Sequence, residues 1–110
     1  MRFSVQQIKY ELLYAIREYD SDGSKWQIAI SEVEPTEALK ARGLDPEAYL
    51  FLGKPASTNR AAVLVRDFMM GRCLVQPAEP SATASGEPGD WVVMFRDKAS
   101  LPTDAVVSLA

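Results

Sequence analysis

The sequence predicts a small α/β (α+β) two-layer sandwich, in which a sheet of about three strands packs with three helices in the order α-β-α-β-α-β. Three observations carry this. Apolar residues recur at three- and four-residue spacing in three segments. Short β-branched and aromatic runs stand between and after those segments. Clusters of Gly, Pro, Asp and Ser separate the two kinds of segment.

The first helix is read over residues 4 to 18. Ser4 stands at its capping position, and Val5, Ile8, Leu12, Ala15, Ile16 and Tyr19 form one apolar stripe. Asp20-Ser21-Asp22-Gly23-Ser24 concentrates turn formers. Trp26-Gln27-Ile28-Ala29-Ile30-Ser31 then alternates as a half-buried strand. Glu34-Pro35-Thr36-Glu37 opens a short second helix, because proline suits the first helical position and acidic groups suit the positive end of the dipole. Gly43 closes it. After the Asp45-Pro46-Glu47 turn, Tyr49-Leu50-Phe51-Leu52 reads as a buried strand bounded by Gly53 and Pro55.

Ser57 or Thr58 caps a third helix, running through Ala61, Ala62, Leu64, Val65, Phe68 and Met69 to about Gly71, and this reads as the most buried helix. Residues 76 to 90 lack any apolar period and read as a flexible surface loop within a single domain spanning 1–110. Trp91-Val92-Val93-Met94-Phe95 is the clearest strand. Residues 105 to 109 read as a further short strand or a tail.

Composition narrows function by exclusion. At 110 residues, with 47% hydrophobic and 25% charged side chains, the chain has the balance of one globular domain with its own core. Its single cysteine, Cys73, allows no intrachain disulfide, and with no apolar leader or membrane-length run the expected setting is the cytoplasm. A net charge of −3 supplies no overall attraction to nucleic acid or anionic lipid. With no histidine, imidazole-based nucleophile activation, His general bases and His metal ligands are all ruled out. No cofactor, metal ligand set or catalytic residue is assigned.

The polar candidates are few. Lys54, Ser57, Thr58 and Arg60 surround the start of the third helix and could hold a phosphate or nucleic-acid backbone; an ordinary helix cap explains them more economically. Arg66 and Arg72 extend the basic run with Asp67 the only acid, but Arg60 and Arg66 fall on different sides of a helix. Asp20-Ser21-Asp22-Gly23 resembles part of a calcium loop, yet with Gly23 at position six Ala29 falls where the bidentate Glu belongs. Cys73 lies beside Arg72 without a base to activate it. Trp26 and Trp91 are assigned to the core or its rim. Glu32 and Glu34 are explained by the dipole of the helix that follows.

The succession Trp26 to Ser31, the Pro-led helix ending at Gly43-Leu44, the helix from Ala56-Ser57 to Phe68-Met69-Met70-Gly71, and the closing Trp91 to Phe95 strand resembles small proteins related to GIY-YIG nucleases over about residues 8 to 96. The resemblance implies a metal-dependent phosphodiesterase scaffold. Its chemistry does not follow: Gln27-Ile28-Ala29-Ile30 stands where a Tyr-Ile-Gly pattern belongs, Ala38 near the helical Arg, and Val65 near the metal-binding Glu, with Asp67 a poor substitute. The expectation is therefore a non-catalytic domain that binds another macromolecule, either a protein partner or a second copy through the first helix. Nuclease or nucleic-acid binding through Lys54, Ser57, Arg60 and Asp67 is the alternative.

Overall fold

In the computed structural model, which describes residues 2–78 and 89–101, the elements run α1 (Val5–Arg17), β1 (Gln27–Ser31), α2 (Pro35–Ala41), β2 (Tyr49–Pro55), α3 (Asn59–Cys73), β3 (Gln76–Pro77) and β4 (Trp91–Asp97). Single 3₁₀ turns occupy Gly23–Lys25, Pro46–Ala48 and Lys98–Ser100. One mixed sheet has the order β2-β4-β1-β3. Strand β4 lies in the middle, antiparallel to both β1 and β2, while β3 runs parallel to β1.

The sheet thus has four strands rather than three. The additional strand is two residues long and comes from the stretch read as loop. Gln76 N–H donates to the Trp26 carbonyl at 2.9 Å and Ala78 N–H to the Ile28 carbonyl at 3.0 Å, and Ala78 is buried. Residues 79–88 of that stretch, and the possible strand at 105–109, lie outside the described residues.

The period-two alternation of the strands assigns every side chain to a layer. Ile28 and Ile30 of β1, Val92 and Met94 of β4, and Leu50 and Leu52 of β2 face one side. There they meet Ile8, Leu12 and Ile16 of α1 and Ala62, Val65 and Met69 of α3. Ala29, Val93, Phe95, Tyr49 and Phe51 face the other side, where Ala38 and Leu39 of α2 cover them. Helices therefore occupy both faces, which corrects the two-layer expectation to three. It also explains why Ile28, Ala29 and Ile30 are all buried, where a half-buried strand would alternate.

Local chemistry accounts for the boundaries. Ser4 and Gln7 form a reciprocal capping box at the start of α1, with Ser4 Oγ accepting from the Gln7 amide and Gln7 Oε1 from the Ser4 amide. Thr58 caps α3 by accepting from the Ala61 amide at 3.0 Å. That helix runs past Gly71 and stops at Leu74, whose left-handed backbone (φ 63°) ends it. Gly23 has a different role from a turn residue: a Cβ there would lie 2.0 Å from the Cys73 carbonyl, so glycine lets the chain after α1 pass directly under the end of α3.

A buried guanidinium ties these pieces together. Arg96 points from β4 toward the α1 side and is 1% exposed. Its Nη1 and Nη2 each donate to one Asp20 oxygen at 2.9 Å; its Nε donates to Ser100 Oγ at 2.9 Å and Nη2 also to the Ser100 carbonyl at 2.6 Å. The cation sits 5.9 Å from the Trp26 ring centroid. Hydrogen bonding from Arg96 holds the Asp20 carboxyl below its ordinary 3.8. Because the folded value is the lower one, this contribution is complete above the ordinary value and is lost as acid protonates Asp20 through its depressed value. Replacing Asp20→Asn leaves a buried cation without its counter-ion. Denaturant unfolding at pH 7 should show a loss of about 3 kcal/mol, and the variant should lack the part of the wild type's acid-induced decline that Asp20 causes.

Candidate functional site

Free backbone polarity, rather than a cluster of reactive side chains, distinguishes one region of the surface. The parity of β2 follows from one bond just beyond it. Ala56 N–H donates to the Asp90 carbonyl at 2.7 Å, and the register Tyr49↔Asp97 to Pro55↔Trp91 puts Ala56 opposite Asp90. In an antiparallel ladder such pairs alternate. Leu50, Leu52 and Lys54 therefore bond to β4, while Tyr49, Phe51, Gly53 and Pro55 turn their backbone groups to the outer edge.

Two of those outward groups are occupied. The Pro55 carbonyl accepts from the Phe3 amide at 2.9 Å, and the Tyr49 amide closes the preceding 3₁₀ turn onto Pro46. The amides of Phe51 and Gly53 and the carbonyls of Tyr49, Phe51 and Gly53 have no backbone partner among the described residues. The opposite edge differs: β3 is two residues long, and one of them is proline.

Beside the open edge lies a groove of about 260 Å³ between α1 and β2. Tyr14, Ala15 and Tyr19 of the α1 side, Trp26, and Leu50 and Leu52 of β2 line it, with Glu11 and Glu18 on its helical rim. Helix α1 runs opposite in direction to β2, because Phe3 meets Pro55 at one end and Asp20 meets Arg96, the partner of Leu50, at the other. Trp26 is 1% exposed and packs 6.2 Å from Tyr19, and its buried Nε1 has no acceptor among the described residues. Tyr14 and its neighbour Tyr10 are more than half exposed, at 55% and 69%. On the far face of β2, Gly53 lets Pro35 pack closely, since a Cβ there would lie 2.4 Å from Pro35 Cγ.

The polar residues singled out in the sequence do not converge. Lys54 stands over the Phe3 ring at 4.9 Å, Thr58 serves as the helix cap, and Ser57 and Arg60 are exposed. Asp67 pairs with its neighbour Arg66 at 3.4 Å and lies two helical turns, about 10 Å, from Arg60. Arg66 is buried while Arg60 is exposed, as their different helical sides require. Arg2 supplies a further cation near the start of α3, where it pairs with Asp90. Asp22 caps a 3₁₀ turn through the Ser24 amide at 3.0 Å, and no group of three metal-ligating side chains occurs among the described residues. Glu32 and Glu34 are exposed, Glu34 at the N-cap of α2.

A second cavity of about 310 Å³ lies between the ends of α1 and α3, lined by Arg17, Ser21, Arg72, Cys73 and Leu74 among others. Two cations at helix C-termini suit the local dipoles. Cys73 is half-buried; burial pushes its thiol pKa up, and Arg72 opposes this only in part.

No protein family, curated protein or solved structure matches the chain. No helix among the described residues is long and apolar enough to cross a membrane.

The sequence did not expose the β2 edge as a site, because backbone availability depends on strand order. Its composition carries one signal: an aromatic and aliphatic strand bounded by Pro46 and Pro55. At pH 8 the Cys73 thiol should react with a disulfide reagent more slowly than a free cysteine, and denaturant should remove that difference.

Proposed function

We propose that this domain is a non-catalytic protein-interaction module that takes an extended segment of another protein onto the edge of β2. The observation that carries the reading is the backbone of Phe51 and Gly53, unpartnered among the described residues, beside the α1–β2 groove. Strand addition requires this combination: main-chain donors and acceptors supply affinity, and an adjoining groove reads alternate side chains. The exposed Tyr10 and Tyr14 next to it are residue types that anchor protein interfaces.

The edge has defined ends. Pro55 has no N–H to offer and its carbonyl is taken by Phe3; the Tyr49 amide is taken by Pro46. Between them lie two donors and three acceptors, enough for a short strand and too few for an extended sheet-to-sheet contact. Lys54 at one end further discourages uncontrolled pairing.

Hydrogen exchange checks the edge directly. In the protein alone the amides of Leu50, Leu52 and Lys54 should be protected, and those of Phe51 and Gly53 should exchange rapidly. Peptides selected from a random library on the immobilised protein should slow exchange at Phe51 and Gly53. They should also lose binding to Phe51→Pro, which removes an outward donor without removing a ladder bond. Selected peptides that bind Phe51→Pro unchanged would overturn the reading. Salt-sensitive binding of labelled DNA, lost on charge removal at Lys54 and Arg60, would instead support the nucleic-acid alternative.

A further inference from the structure

Resting on the edge-strand reading, we infer that the segment recognised is basic: an apolar residue flanked, two positions away on each side, by lysine or arginine. Two features of the groove lead to this pattern. First, Glu11 and Glu18 are exposed on its helical rim and make no ion pair among the described residues, while the nearby Asp20 is already neutralised by Arg96. The rim therefore presents two carboxylates, without an ion-pair partner among the described residues, to whatever lies along β2.

Second, the spacing fits a strand. Seven helical residues separate Glu11 from Glu18, about 10 Å along α1. In an extended segment, side chains four residues apart face the same way about 13 Å apart. Lysine or arginine side chains at those two places have the reach to close the difference, one to each carboxylate. The residue midway between them faces the same side and enters the groove against Tyr14, Leu50 and Leu52.

Charge also argues against a second copy of this chain as the occupant. Antiparallel pairing of two β2 edges would put both copies of α1 on one face of the joined sheet. Glu11 and Glu18 of each would then face the same acidic stripe of the other. A basic strand is attracted where a second copy is repelled.

The test uses two fluorescein-labelled peptides, Thr-Lys-Thr-Leu-Thr-Lys-Thr and the same sequence with Glu in place of Lys, titrated against the whole chain. At 50 mM salt the Lys peptide should bind about tenfold or more tightly than the Glu peptide, and at 500 mM the difference should largely vanish. The double variant Glu11→Lys/Glu18→Lys should reverse the preference, and Phe51→Pro should abolish binding of both peptides. Amide exchange at Phe51 and Gly53, slowed by the Lys peptide, verifies the docking place in the unmodified protein. Equal binding of the two peptides, with both lost in Phe51→Pro, overturns the charge preference and leaves the edge reading standing. Binding of neither peptide at 1 mM overturns both, and so does a wild-type dimer by light scattering that becomes monomeric in Phe51→Pro, since the edge is then self-paired.

Discussion

The buried Arg96–Asp20 pair is the contact on which the rest of the molecule depends. A guanidinium at 1% exposure is costly to desolvate, and a close counter-ion with several further hydrogen bonds is needed to offset that cost. Here two donors go to the carboxylate of Asp20 just beyond α1, and others go to Ser100 in the turn after β4. One side chain on the central strand thereby fixes the end of the first helix and the end of the last strand. The planar fork also covers Trp26, so the floor of the α1–β2 groove is built by the same contact. Lysine has neither the bidentate geometry nor the planar face to replace it.

From that anchor the open edge follows. Because α1 is pinned at Asp20 and at Phe3, it crosses the α1-side face of the sheet with its stripe of Ile8, Leu12 and Ile16 over the central strands. Its remaining rim, Glu11, Tyr14 and Glu18, lines the groove beside β2. Helix α3 covers the same face and α2 the other, which leaves all seven residues of β2 at intermediate burial. Among the described residues β2 is shielded on both faces but not along its side, which is the geometry the proposed strand addition requires.

Much of the fold was legible in the sequence, because helix caps and the two periodicities are local signals. Ser4, Pro35 and Thr58 begin helices as their chemistry dictates, and Trp91 to Phe95 is central because every residue in it is fit for burial. What the sequence hid was non-local. Asp20 sits in a run of turn formers, and nothing nearby shows that its partner is 76 positions away. The short β3 carries a proline and looks like loop until Trp26 and Ile28 supply carbonyls for it. The proposed site was hidden for the same reason: Phe51 reads as a core residue, and only the order β2-β4-β1-β3 reveals that one side of its backbone has no neighbour among the described residues.

The size of the open edge bounds what it can do. Two amides and three carbonyls accommodate a strand of about five residues, and a groove of about 260 Å³ holds one side chain of leucine or methionine size. An interface of that kind falls at the small end of specific contacts, where association is transient. Net main-chain hydrogen bonds contribute about 1 kcal/mol each, and ordering a free peptide removes a comparable amount per residue. Backbone pairing alone therefore gives little net affinity. In the proposed strand addition, selectivity and most of the strength would come from the groove side chains and from long-range charge, which puts the weight on Tyr14, Glu11 and Glu18 rather than on the strand that receives the partner.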